Sequence, residues 1–178
     1  MNDFDSVTTR GGDRGESSLL SGERLRKDDL LFETLGDLDE LSAAVGVARA
    51  ASEDKKLNKT LLEIQRKLLT AGAMIASYPG NYSGDIISEK DITALEKLEK
   101  RIISLIPPQR GFIYPGDNLP AAHLHLARCI CRRLERKIVT CIRERGMGGI
   151  TVLQRYINRL SDYLFLAARN IEEDIDID

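Results

Sequence analysis

The sequence predicts an all-α fold, an antiparallel five-helix bundle entered through an irregular N-terminal loop. Three observations predict it. Apolar residues recur at spacings of three and four in five separate stretches, which gives each stretch one face to bury. Proline, glycine and capping residues punctuate the chain between those stretches, leaving the short connections of packed neighbours. The alternation of apolar and polar residues that marks a strand is weak throughout.

The first helix can be capped by Asp28 or Asp29 and carries Phe32, Leu35, Leu38, Leu41, Val45 and Ala48 on one face. The second bears Leu57, Leu61, Ile64, Leu68 and Gly72, with Pro79-Gly80 marking its end. Ser88 and Asp91 resemble a capping box ahead of Ile92, Leu95, Leu98 and Ile102, and Pro107-Pro108 stops that third helix. A loop from Gln109 to Leu119 leads to a fourth helix with Pro120 in its first turn. Its seam reads Leu124, Ala127, Cys131, Leu134, Ile138 and Cys141, and Gly146 ends it. After Gly148-Gly149 the fifth repeats the rhythm through Leu153, Ile157, Leu160, Leu164, Ala167 and Ile171. Residues 28–171 form the bundle, and residues 172–178 are an acidic tail expected to fray. No repeat or linker divides the chain, so a single domain of 178 residues is expected.

A hydrophobic fraction of 42% with 30% charged residues suits a soluble globular domain. No apolar run approaches the roughly 18 to 20 residues that span a bilayer, and the polar start MNDFDSVTTR is unlike a signal peptide. A cytoplasmic location is therefore expected. The net charge of −2 argues against nucleic acid or anionic membrane as partner. Cys129, Cys131 and Cys141 fall in one helix at spacings that do not favour pairing, so reduced, packed thiols are expected.

Residues 1–27 are rich in glycine, hydroxyls and charge. The stretch from Thr8 to Ser18 could gather backbone N–H groups around an anion, with Lys27 downstream as a cation. It lacks the Gly-Lys-Ser/Thr of a Walker A loop. In helix four, Arg128, Arg132 and Arg136 fall at i, i+4 and i+8, a basic stripe bordering the apolar seam. Such a stripe is ordinarily a solvated face; beside a seam it asks for carboxylates or ligand anions. Asp37, Asp39 and Glu40 in helix one, and Asn158 and Asp162 in helix five, are candidates. His123 and His125 are two apart and unsuited to one metal. No nucleophile–base set is evident, so any catalysis must work by positioning and electrostatics.

Five blocks in order resemble the PduO-type ATP:corrinoid adenosyltransferases. They are Thr9-Arg10-Gly11-Gly12-Asp13-Arg14-Gly15-Glu16-Ser17, Gly22-Glu23-Arg24 through Lys27-Asp28-Asp29, and Gly36-Asp37-Leu38-Asp39-Glu40-Leu41. Pro115-Gly116-Asp117-Asn118 then leads to His125, Ala127-Arg128 and Arg132-Arg133-Leu134-Glu135-Arg136, and Tyr156 to Phe165 closes the pattern. The match runs in register from about Thr9 to Arg169.

The resemblance implies transfer of the 5′-deoxyadenosyl group of ATP to the cobalt of cob(I)alamin. It implies a homotrimer with ATP and Mg²⁺ held between subunits, Mg²⁺ through the triphosphate, with no protein side chain assigned to the metal. Thr9, Arg10, Gly12, Asp13, Gly15, Ser17, Ser18 and Lys27 would bind ATP, with Arg132, Arg133, Glu135 and Asn158 completing that site. Arg132, Glu135, Asn158 and Phe112 would be the catalytic set. Phe112, Asp117, Asp162 and Phe165 would meet the corrinoid, and Asp39 would pair with Arg128 across the subunit boundary. A corrinoid reductase and an adenosylcobalamin-dependent enzyme are the implied partners. Taken alone, a loop phenylalanine such as Phe112 reads as a plug over the core; the resemblance instead sets it beneath the corrin.

Three departures stand out: Arg10 for the usual lysine, Gly11 for Thr or Ser, and Asp117 for the second glycine of Pro-Gly-Gly. Gly11 and Asp117 leave an alternative, a non-catalytic carrier or sensor that binds ATP or corrinoid. Intact Lys27, Arg132, Glu135 and Asn158 favour catalysis.

Overall fold

The computed structural model describes residue 8, residues 10–80 and residues 82–172. Thr9 and the acidic residues after 172 lie outside that set. The regular structure of the described residues is five α-helices, a small hairpin and a 3-10 turn at Gly148–Ile150: β1 Glu16–Ser18, β2 Arg24–Arg26, α1 Leu30–Ala51, α2 Lys55–Ala76, α3 Glu89–Ile103, α4 Leu119–Arg145 and α5 Thr151–Glu172.

The ends are set by local chemistry. Asp29, not Asp28, caps α1, accepting from Leu31 N at 2.9 Å, while Asp28 pairs with Arg26. Asp54 accepts from Lys56 and Leu57 N at the start of α2. Ser88 and Asp91 form the expected capping box at the start of α3, the Asp91 carboxylate accepting from Ser88 N at 2.8 Å. Asn118 caps α4, and Gly146 ends it with φ 66°, a left-handed turn that glycine takes without strain. α5 continues one residue into the expected tail, because Glu172 finds a buried partner in His125.

α4 packs on both α1 and α5, while α1 also packs on α2 and α5 on α3. An ion pair of 2.7 Å between Lys67 of α2 and Asp91 of α3 completes the ring. Five helices in a ring cannot all alternate in direction, so one neighbouring pair must run parallel. That pair is α3 and α5: Glu89 meets Arg155 near both N-terminal ends, and Glu96 meets Arg159 further along. The other contacts are antiparallel, as predicted. Leu31, Leu41, Leu134, Ile138, Leu153 and Ile157 are among the fully buried side chains of the shared core. Each contributes about 1.5 to 3 kcal/mol by burial.

This arrangement gives the bundle two ends. The hairpin, the start of α1 and the ends of α2 and α4 share one, where Ser21 N donates to Ala76 O and Arg145 pairs with Asp29. The loop between α3 and α4 and the C-terminal end of α5 share the other. The 22 residues of α5 set these ends about 30 Å apart.

Candidate active site

Residues 10–27 hold regular structure where an irregular loop was expected. Glu16–Ser18 pairs with Arg24–Arg26 as an antiparallel hairpin, pinned by buried Leu19 and by Leu25 against the core. Ahead of it, Asp13 N donates to Arg10 O and Gly15 N to Gly12 O, two successive turns. Arg10 sits at φ 55° and Gly15 at φ 80°, so the second turn needs a residue without a Cβ. Lys27 N donates to Gly15 O at 2.8 Å. Its ammonium lies so close over Gly12 that a Cβ there would meet Nζ at 2.8 Å. Gly12, Gly15 and Lys27 thus converge, with exposed Asp13 and Ser18 and half-buried Ser17 alongside. Arg24 ties the corner together by donating to Gly11 O and pairing with Glu16.

A second constellation lies between α4 and α5. Asn158 Nδ2 donates to Glu135 Oε1 at 2.9 Å, beside a cavity of about 280 Å³ lined also by Ile92, Gln154, Arg155 and Arg159. Arg132 is exposed next to this pair on α4. Arg133, which the resemblance assigns to ATP, pairs across to α1 with Asp37 at 3.2 Å and with Glu40. Lys137 joins it, 3.2 Å from Glu33 and 3.4 Å from Asp37. The carboxylates of α1 therefore meet Arg133 and Lys137 and not the stripe of Arg128, Arg132 and Arg136. The reason is rotational: α4 meets α1 on the face of Arg133 and Lys137.

The third lies at the far end. Phe112 and Tyr114 project from the 107–118 loop with exposures of 98% and 87%, so Phe112 plugs nothing within the chain. They line a cavity of about 620 Å³ with Asp117, Arg169 and Glu172. Phe165 lies nearby, with the Arg128 guanidinium 6.0 Å from its centroid and His125 edge-on at 6.1 Å. Asp162 is held by Arg159 at 2.8 Å. Asp39 is exposed, and no ion pair joins it to Arg128 among the described residues.

Glu99, a residue the sequence did not single out, feels the charges of Arg159, Asp162 and Glu96. Burial pushes its carboxyl from 4.5 up to about 7; Arg159 opposes the shift, and Asp162 and Glu96 add to it. The native state therefore holds a proton that the unfolded chain releases. Glu99 contributes stability below pH 4.5 that is lost as pH rises to about 7. Glu99→Gln should leave stability unchanged near pH 4 and raise it at pH 8, read as urea midpoints. Parallel pH curves for the two proteins would contradict this.

The family profile described as cobalamin adenosyltransferase matches residues 7–171. The chain belongs to the cobalamin adenosyltransferase family. A corrinoid adenosyltransferase of Citrobacter freundii is 40% identical over 173 residues, covering 94% of this chain and 94% of that protein. The corrinoid adenosyltransferase PduO of Salmonella typhimurium is 40% identical over 172 residues, covering 95% of this chain but 50% of the relative. This chain thus spans about half the length of that PduO. A variant of the PduO-type ATP:corrinoid adenosyltransferase of Lactobacillus reuteri, solved with cobalamin and ATP, superposes with a TM-score of 0.86. It is 30% identical, and the match covers 94% of this chain and 93% of that one.

As a cobalamin adenosyltransferase family member, the chain sorts its expected site residues into separate groups. Gly12, Gly15 and Lys27 lie together at one end, and Glu135, Asn158 and Arg132 together on α4 and α5. Phe112, Asp117 and, beside them, Phe165 lie at the other end. Cys131 and Cys141 are buried thiols, whereas Cys129 is exposed and not packed as expected. Sequence reasoning missed His125 and Glu172, whose pairing depends on two helix ends meeting.

Proposed function

We propose that this protein transfers the 5′-deoxyadenosyl group of ATP to the cobalt of a reduced corrinoid, cob(I)alamin. Triphosphate is released and adenosylcobalamin forms. The cobalt(I) electron pair attacks C5′, the C5′–O5′ bond breaks, and its electrons leave on the triphosphate. The corrinoid itself is the nucleophile, so the chain must align and stabilise. Residues 1–27 serve as the ATP loop of one adenosyltransferase domain. Lys27 and the N–H groups near Gly12 and Gly15 hold phosphate oxygens. Arg132 meets charge growing on the leaving group, an effect worth about 10²- to 10³-fold per donor. Glu135 fixes the Asn158 amide, leaving one carboxylate oxygen and the amide oxygen for the nucleotide. The exposed Asp13 carboxylate and the Ser17 and Ser18 hydroxyls are oxygen donors of the kind Mg²⁺ accepts. Mg²⁺ would be held by these and by the triphosphate, partly neutralising the leaving group.

The observation that carries the reading beyond family membership is the separation of the groups. Lys27 and Phe112 occupy opposite ends of a bundle about 30 Å long. One ATP and one corrinoid in contact cannot be served by both within one chain. A neighbouring subunit that brings its N-terminal corner to the α4–α5 face of the next resolves this, which supports a homotrimer with shared sites. The reaction belongs in the cytoplasm, with a corrinoid reductase supplying cobalt(I) and an adenosylcobalamin-dependent enzyme taking the product.

Anaerobic incubation with MgATP and chemically reduced cobalamin should yield the absorbance spectrum of adenosylcobalamin with multiple turnovers. Binding of both ligands without product would establish the carrier instead. Lys27→Ala should raise KM for ATP about tenfold, some 1.4 kcal/mol, and leave corrinoid KM within twofold. MgATP should slow proteolysis before Ser21. If truncation through Ser18 preserves ATP affinity, the N-terminal assignment is wrong.

A further inference from the structure

The last turn of α5 touches the corrinoid-side loop at both of its ends and α4 at a third point, none of them signalled by sequence periodicity. Arg169 Nη2 donates to Pro107 O at 3.0 Å, where the loop begins. Asn118 Nδ2 donates to Ile171 O at 3.4 Å, where it ends. Between these, His125 Nε2 lies 3.2 Å from Glu172 Oε1, with side-chain exposures of only 3% and 8%. A carboxylate is costly to bury unless a partner compensates it, so the pair specifies its own geometry. His125 Nδ1 is buried and has no hydrogen-bond partner among the described residues, which leaves Glu172 as the ring's polar tether. That ring meets the edge of Phe165 with its plane inclined at 61°.

We propose that His125 and Glu172 are a buried positioning pair for the corrinoid. Glu172 fixes the His125 ring, the ring sets Phe165, and Arg169 and Asn118 moor both ends of the loop that presents Phe112. The proposal rests on the adenosyltransferase reading for its effect on turnover, whereas the anchoring itself does not. Loss of Glu172 frees the imidazole to rotate, so Phe165 and Phe112 no longer face the ligand in one arrangement. Such misplacement lowers affinity without removing any group that touches the nucleotide.

The test compares wild type, Glu172→Ala, Glu172→Gln and His125→Asn, with thermal melts to monitor folding. In ligand-free protein, trypsin should cut after Arg110 faster in Glu172→Ala than in wild type. Glu172→Gln, whose amide oxygen still accepts from His125, should cut at a near wild-type rate. With substrates, Glu172→Ala should raise KM for the corrinoid about tenfold and leave KM for ATP within twofold. Unchanged cleavage at Arg110 together with unchanged corrinoid KM would overturn the proposal. Equal rises in both KM values would also overturn it, showing general destabilisation. If Glu172→Ala fails to fold, His125→Asn and Glu172→Gln decide by the same two readouts. A wild type that makes no adenosylcobalamin would refute the functional reading, and the Arg110 cleavage rates would still judge the anchor.

Discussion

Replacing Phe112 by alanine is expected to cost on the order of 100-fold in adenosylation that starts from cob(II)alamin, about 2.7 kcal/mol of barrier. With 98% of its surface exposed, the side chain contributes little to the core of a single chain. Fold and ATP binding should therefore survive. Cobalt(II) is hard to reduce while a lower ligand is bound, because that ligand stabilises the higher oxidation state. An apolar ring beneath the corrin cannot ligate cobalt and excludes both water and the nucleotide base. The loss should be smaller when cob(I)alamin is supplied ready-made, since reduction is then bypassed. Electron paramagnetic resonance of cob(II)alamin with MgATP and protein distinguishes the cases. The four-coordinate signal should vanish in Phe112→Ala; if it persists, Phe112 does not displace the lower ligand, and Tyr114, also exposed on the same loop, takes that role.

Reversing either Asp39 or Arg128 is expected to weaken assembly by about 3 to 5 kcal/mol, two to four powers of ten in the association constant. Arg128 lies half-buried over Phe165 with its Nε buried and unpartnered among the described residues. Asp39 stands exposed on α1 and is not paired with it within the chain. A contact between subunits would satisfy both at once, whereas a single reversal would bury like charges. Light scattering at micromolar concentration should show a trimer for wild type and smaller species for Asp39→Arg or Arg128→Asp. The double exchange should recover part of the trimer. A wild-type monomer would end the shared-site reading, and no recovery in the double variant would mean that the two residues do not meet.

The helices were legible because their determinants are local. Asp29, the Ser88–Asp91 cap and Gly146 act within a few residues of themselves, and the seam of α4 follows from spacing alone. The hairpin was not legible, since each strand has three residues and the pairing is held by Leu19 and Leu25 against a distant core. Helix direction is also a tertiary property: nothing in α3 or α5 alone states that an odd ring forces them parallel. The residues named from motifs fall into three groups along the bundle. The partners of those residues stayed hidden, because Arg133 meets Asp37 across 96 residues of chain and His125 meets Glu172 across 47. Charge patterning pointed to the stripe at Arg128, Arg132 and Arg136, while the rotation of α4 against α1 selected Arg133 and Lys137.

Product analysis tests the central claim most directly. Phosphorus-31 spectra of the anaerobic reaction, run with cob(I)alamin and MgATP, should show intact triphosphate appearing one for one with adenosylcobalamin. That result requires attack at C5′ with the whole chain of phosphates leaving. Adenosylcobalamin without triphosphate, or ADP and phosphate without a cobalt–carbon bond, would contradict the account.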